Sequence, residues 1–345
     1  MTRRQTLDVS FVVKLATTGL LTLGLAQAAT AGDATADPEA AARENWRAFM
    51  SENTASEEGC FQATYPSFVW EKTDCKVAAP RVHPVRRVPK AGSAEVTGNG
   101  NDYVAQAAGL ISQTSGTFPK VTGVTSEKSV GVAAFGGGGI LGPNEYTLQI
   151  NTNFTGTTSV CAGHSGCTVW QQFIYSPDYQ VDGEAAVFMQ YWLIGWGSSS
   201  CPKSWMSAGG GDCFRNSAIA TAPDMPITSL AKLTLSGAAV AGGNDTVVFN
   251  NGTQAFSMTG KDSVVDIASV WRQSEFNVVG NAGGSRAQFN SGSSVTVKIA
   301  LTDGSTSAPQ CVADAGSTGE TNNLNLGSCT TAGGTNPSVQ FTESD

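Results

Sequence analysis

Val187-Phe188-Met189-Gln190-Tyr191-Trp192-Leu193-Ile194-Gly195-Trp196 is a nearly continuous apolar and aromatic run. A strand with one wet face alternates apolar and polar residues, and this run does not. It therefore predicts a central strand covered on both sides. Upstream, Tyr146, Leu148 and Ile150 alternate with Thr147, Gln149 and Asn151, the period of a half-buried strand. Downstream, Val247-Val248-Phe249 and Gln254 to Met258 flank Asn250-Asn251-Gly252-Thr253. Asn-Gly tolerates positive φ at both positions, so this stretch predicts a hairpin. Val295, Val297 and Ile299 alternate with Thr296 and Lys298, and Asp262 to Val270 predicts one short helix. Abundant glycine and only 14% charged residues suit many short strands joined by tight turns. Residues 101–345 thus predict an all-β domain, a single large antiparallel β-sandwich.

The chain before residue 101 has another texture. Arg3 and Arg4, an apolar stretch from Leu15 to Ala26, and the small-x-small sites Ala26-Gln27-Ala28 and Ala29-Thr30-Ala31 have the layout of a secretory signal peptide over residues 1–31. The apolar stretch falls short of the ~20 residues of a membrane span. Residues 32–100 read as a prosegment-like region and linker: a helix from Pro38 to Met50, then a cysteine loop from Gly59 to Cys75. Pro80 to Pro89 follows as a proline-broken basic connector, expected to be exposed, with Arg86-Arg87 as a possible processing site. Secreted, extracellular or periplasmic localisation follows, with no membrane association after leader removal.

All eight cysteines lie beyond the leader. An even count in an exported chain reads as a disulfide framework. Pairing by proximity gives Cys60 with Cys75, Cys161 with Cys167, Cys201 with Cys213 and Cys311 with Cys329. A formal charge of −8 argues against a nucleic-acid partner, which requires a basic face. No Cys-x-x-Cys, His-Glu-x-x-His or Walker loop occurs, so neither metal nor cofactor is expected.

The chain has only two histidines, and neither His83 nor His164 sits beside a nucleophile motif. Hydrolytic chemistry would then rest on carboxylates and amides. Glu275, between Trp271 and Phe276, would feel a desolvation that raises its pKa and suits a group acting as base and then acid. A glutamine amide could donate to a developing oxyanion. Gln171 and Gln172 point to opposite faces of one strand, so only one can line such a site. Gln171 is preferred, with Phe173 and Tyr175 on its face, and Gln172 is the alternative.

Gln171, the aromatic strand that follows it, the hairpin at Asn251-Gly252, and Ser274-Glu275-Phe276 followed by Ala287-Gln288-Phe289 resemble the glutamic peptidases called eqolisins. The order of these pieces and the loop Cys201 to Cys213 also resemble the neprosin-type enzymes. The resemblance covers about residues 165–300. It implies a lectin-like (concanavalin-like) jelly-roll sandwich with its site on a concave face, and a secreted acid-active endopeptidase made as a zymogen. Glu275 would activate water and protonate the leaving amine, while the glutamine would stabilise the tetrahedral intermediate. Tyr175, Trp192 and Trp271 are the aromatic candidates for contacting a polypeptide substrate. Neprosin-type enzymes use a second glutamate, and none occurs in Thr168 to Tyr175, so the Glu–Gln version fits better. A monomer is expected.

The same residues admit other readings. Glutamate in a strand commonly faces solvent, and Trp170, Trp192, Trp196 and Trp271 could be core packing or a carbohydrate platform. A non-catalytic lectin-like sandwich binding polysaccharide or protein is the alternative. A glycan-cleaving enzyme, with two carboxylates across a groove, is a further one. Asp178, Asp182, Glu184 and Glu320 read as surface carboxylates, any of which could supply the second acid.

Overall fold

The Val187–Trp196 run lies within a long strand, Glu184–Ile194, buried on both faces along its interior. The computed structural model containing it describes residues 37–83, 101–153, 156–197, 200–313 and 319–345. The strand pairs antiparallel with Thr168–Val181, which pairs with Tyr146–Thr152, which pairs with Gln273–Gly280. These four strands are the centre of a ten-stranded sheet. Tyr103–Gln106 and Gln310–Ala313 extend one side, and Asp212–Asn216 and Met206–Gly209 extend the other. A nine-stranded sheet built around Thr234–Ala239, Gln113–Thr122 and Ser294–Thr302 faces it. A smaller four-stranded sheet contains the parallel pair Arg286–Thr321 and Ala287–Asn322. The fold is the expected all-β antiparallel sandwich.

Large rings from the ten-stranded sheet fill the space between the sheets, and glycines opposite make room for them. A Cβ on Gly237 would come within 2.6 Å of the Phe173 ring, and one on Gly116 within 2.1 Å of Phe276. Phe276 packs on Phe118, Tyr175 stacks on Phe249 at 3.9 Å, and Trp271 stacks on Phe173 at 5.5 Å. Burying each such side chain stabilises by about 1.5–3 kcal/mol. These contacts also fix sidedness. Phe173, Tyr175 and Phe276 point between the sheets, so Gln172 and Glu275, one residue away on each strand, point outward.

The Asn250–Thr253 turn joins Asn244–Asn250 to Gln254–Lys261, with Gly252 at φ +90° and Asn251 Oδ1 accepting the N–H groups of Thr253 and Gln254. Asp262 to Val270, expected as a helix, is instead two 3₁₀ turns, Asp262–Val264 and Ile267–Ser269. Asp266 at φ +54° breaks the helical path between them, and the Asp262 carboxylate holds the N–H groups of Ala268 and Gly242. All four cysteine pairs form as neighbours: 60–75, 161–167, 201–213 and 311–329.

The helix Pro38–Glu52 forms as expected, anchored by buried Trp46 and Met50 against Ala63, Val248 and Ala255. Phe49, three residues beyond Trp46 on the helix, remains 39% exposed and meets Phe68 edge-on. The described residues before 101 are built into both sheets. Gly59–Thr64 pairs with Gln254–Lys261 in the nine-stranded sheet, and Lys76–Val77 pairs with Ala218–Pro223 beside the ten-stranded one. Pro38–Asp345 is consequently one compact unit. The Pro80–Pro89 connector is not simply exposed: Val82 is half-buried and His83 is fully buried. The leader and Arg86-Arg87 lie outside the described residues. No described helix is long and apolar enough to cross a membrane.

Candidate functional site

Register places one side chain from each central strand in a row on the outer face of the ten-stranded sheet. Gln190 opposes Gln172, Gln172 opposes Asn151, and Asn151 opposes Glu275. All four are at most 1% exposed. The carboxylate of Glu275 accepts a hydrogen bond from Asn151 Nδ2. Asn151 Oδ1 is buried without a protein donor.

A directional chain of amides runs alongside. Trp192 Nε1 donates to Gln172 Oε1 at 2.9 Å, which fixes which end of that amide carries oxygen. Gln172 Nε2 donates to Gln149 Oε1 at 3.2 Å. Gln149 Nε2 then donates to Thr147 Oγ1 at 3.0 Å and faces His83 Nδ1 at 3.0 Å. His83 Nδ1 also lies 3.5 Å from Glu320 Oε1. Burial pushes the Glu320 carboxyl up, and the nearby His83 opposes that shift. Glu320, expected at the surface, is fully buried and brings a second carboxylate to this patch.

Residues 79–83 cross this outer face as a strap, gripped mainly through its main chain. Ala79 N donates to Gln180 Oε1 at 2.9 Å, and Ala79 O accepts from Asn216 Nδ2 at 2.9 Å. Arg81 O accepts from the Tyr179 hydroxyl at 2.6 Å and from Gln190 Nε2 at 3.1 Å. Gly283 N donates to Val82 O at 3.0 Å. His83 N donates to Gln190 Oε1 at 2.9 Å, so one side-chain amide reads both polarities of the strap. The His83 ring stacks on Tyr179 at 5.9 Å, and Val82 packs against Trp170, Trp192 and Phe214.

The preferred glutamine lies elsewhere. Gln171 points between the sheets, and its Nε2 donates to the buried carboxyl of Asp245 at 3.0 Å and contacts Met189 Sδ at 3.5 Å. Pleating separates it from Glu275, while the alternative, Gln172, shares the face of Glu275. Tyr175 and Trp271, expected to touch substrate, are fully buried between the sheets. The Tyr175 hydroxyl donates to Pro223 O at 3.0 Å, and Trp271 Nε1 donates to Gln273 O at 2.8 Å. Of the three aromatic candidates only Trp192 lies on the outer face. His164 stacks on Trp196 inside the Cys161–Cys167 loop, away from these residues.

Asn151, Gln149, Gln190 and His83 join the patch without having been singled out as site residues, and Glu320, named only among the carboxylates that could supply a second acid, joins them. The alternation of Gln149 and Asn151 with apolar neighbours placed them on one face, and Gln190 stood out as a polar residue inside an apolar run. The strap lies against Gln190 and Gln149, and Glu320 approaches His83 beside them, and no local pattern announces either contact. Among the described residues, no cluster of His, Cys, Asp or Glu suited to a metal ion occurs. Compared with known proteins, the chain matches no family model, no curated protein and no solved structure.

Proposed function

We propose that the protein is a secreted, acid-active glutamic endopeptidase, held latent by residues 79–83. One observation carries the reading: the outer face already holds a polypeptide, and it grips that polypeptide by main-chain N–H and C=O groups. Side-chain amides of Gln190 and Asn216 with the Tyr179 hydroxyl can grip any peptide this way, whatever its sequence. The four disulfides suit an oxidising, extracytoplasmic compartment.

In this reading Glu275 takes a proton from water as the water oxygen bonds to the scissile carbonyl carbon. Asn151 orients the carboxylate. The Gln172 amide, its oxygen end fixed by Trp192, offers an N–H to the developing oxyanion. Glu275 then gives its proton to the leaving nitrogen as the C–N bond breaks, releasing an acid and an amine. His83 fills the position beside Gln149 and Glu320, so the strap must leave before substrate enters.

The test is cleavage of a denatured protein such as casein, after acid incubation of the full chain. Glu275→Gln keeps the size and the acceptor that Asn151 needs, and it is expected to lower the rate at least ~100-fold, the scale of a lost general base. Its melting temperature should match wild type. Wild-type cleavage by this variant overturns the assignment. Glu320 favours a second reading, two-carboxylate glycan cleavage. Polysaccharide hydrolysis lost in both Glu275→Gln and Glu320→Gln, with no proteolysis by wild type, would establish that reading instead.

A further inference from the structure

Trp170, Trp192 and Phe214 form an apolar cluster of their own, on the face turned away from the inter-sheet core. Trp192 lies 5.6 Å from each of the other two rings, and all three are at most 4% exposed. Val82, Ile194 and Met206 pack against these rings, so removing residues 79–83 takes away the strap's share of the cover over two indoles and a phenyl ring, the composition of a recognition surface. The strap inserts one branched side chain here, Val82, while its neighbour His83 is directed to Gln149 and Glu320. Gln190 spans the two positions, accepting from His83 N and donating to Arg81 O. Side chains are thus sorted while the main chain is held in register.

We infer that the Trp170–Trp192–Phe214 box is the subsite that selects an apolar side chain of the bound polypeptide, and that Val82 occupies it in cis as a substrate mimic. The adjoining position, between Gln149 and Glu320, takes the next residue and favours a hydrogen-bonding or basic side chain. The preferred ligand is therefore a polypeptide with a branched aliphatic or aromatic residue immediately followed by a residue such as histidine. The box is also tied to the chemistry, because the Trp192 indole that lines it sets the orientation of the Gln172 amide. Filling the box steadies that indole, so a matched side chain raises turnover as well as binding.

This inference rests on the reading that the face binds polypeptide, and its test uses binding rather than cleavage. The full chain carrying Glu275→Gln is compared with the same chain also carrying Val82→Asp, which removes the apolar occupant. Each is titrated with a fluorescein-labelled peptide of sequence Ala-Pro-Arg-Val-His-Pro. The doubly substituted chain is expected to bind about tenfold or more tightly than the single variant, whose box is filled. Replacing the peptide's valine by aspartate should weaken binding by about tenfold or more, while leucine or phenylalanine should retain it. Val82→Gly serves as a second strap variant should Val82→Asp lower the melting temperature. Equal affinity for the valine and aspartate peptides, or equal binding to chains with and without Val82, overturns the inference. Selective binding without any proteolysis by chains retaining Glu275 would leave the subsite standing and remove the peptidase reading. Proteolysis with no preference at that position would do the reverse.

Discussion

Gln171 and Gln172 are consecutive, yet pleating gives them unrelated surroundings. Gln171 Nε2 meets the carboxyl of Asp245, which burial and neighbouring Asp262 push well above the usual range. Removing that amide strands a buried polar group, so Gln171→Ala should destabilise by about 1–3 kcal/mol. The specific activity of the molecules that remain folded should be unchanged. Gln172→Ala should instead lower the proposed proteolysis about 100-fold or more, the scale of a lost oxyanion donor, with a smaller effect on melting. Denaturant unfolding and active-fraction kinetics on the pair check both. The choice between the two was not legible in the sequence, because Thr168–Val181 is buried on both faces over most of its length and has no polar side to mark the outer one. Glu275 was legible as a carboxylate set among aromatic residues. Its hydrogen-bond partner Asn151 was not, since it comes from a strand far away in the chain.

At the scale of elements, the strap is rooted by a covalent link. Cys60 is buried in the Gly59–Thr64 strand, and its bond to Cys75 fixes the chain immediately before Lys76–Val77. A disulfide closing a loop of this size contributes about 3 kcal/mol. Cys75→Ser should therefore loosen residues 76–83 and shorten the lag before the proposed acid proteolysis begins, measured as the time course of peptide release. The disulfides, the helix Pro38–Glu52 and the Asn251-Gly252 hairpin were readable because each depends on near neighbours. The strap misled for the opposite reason. Prolines and arginines normally mark a solvated connector, and only contacts with residues distant in the chain, Gln149, Tyr179, Gln190 and Glu320, bury His83. The Asp262–Val270 segment has helix-compatible spacing, but the Asp262 carboxylate ties its backbone into a loop.

Across the whole molecule, several carboxyls are built to be neutral. Burial pushes Glu127, Glu145 and Glu343 up to about 8, and Asp224 up to about 6. Each has a folded value above its unfolded one. The stability they contribute is full below about pH 4.5 and is lost as pH rises toward 8. Asp178 and Asp303, both half-buried, run the other way, because hydrogen bonds outweigh the effect of their partial burial. The melting temperature should consequently be higher near pH 4.5 than near pH 8 by several degrees, measured by calorimetry in matched salt. A flat or inverted profile would show that these carboxyls ionise freely in the folded state.

The Gly59–Thr64 strand has a consequence for any cut in the chain that follows it. Its six residues pair in register with Gln254–Thr259, covering an edge that carries Phe256 and Met258. The only disulfide on this side of residues 84–100, Cys60–Cys75, closes within the N-terminal part itself. A cut anywhere in 84–100 would therefore sever the covalent path and leave the ladder intact, and losing the fragment would bare a sticky sheet edge. A chain cut there should persist as a nicked two-polypeptide complex, with native mass undiminished while a denaturing gel resolves two polypeptides.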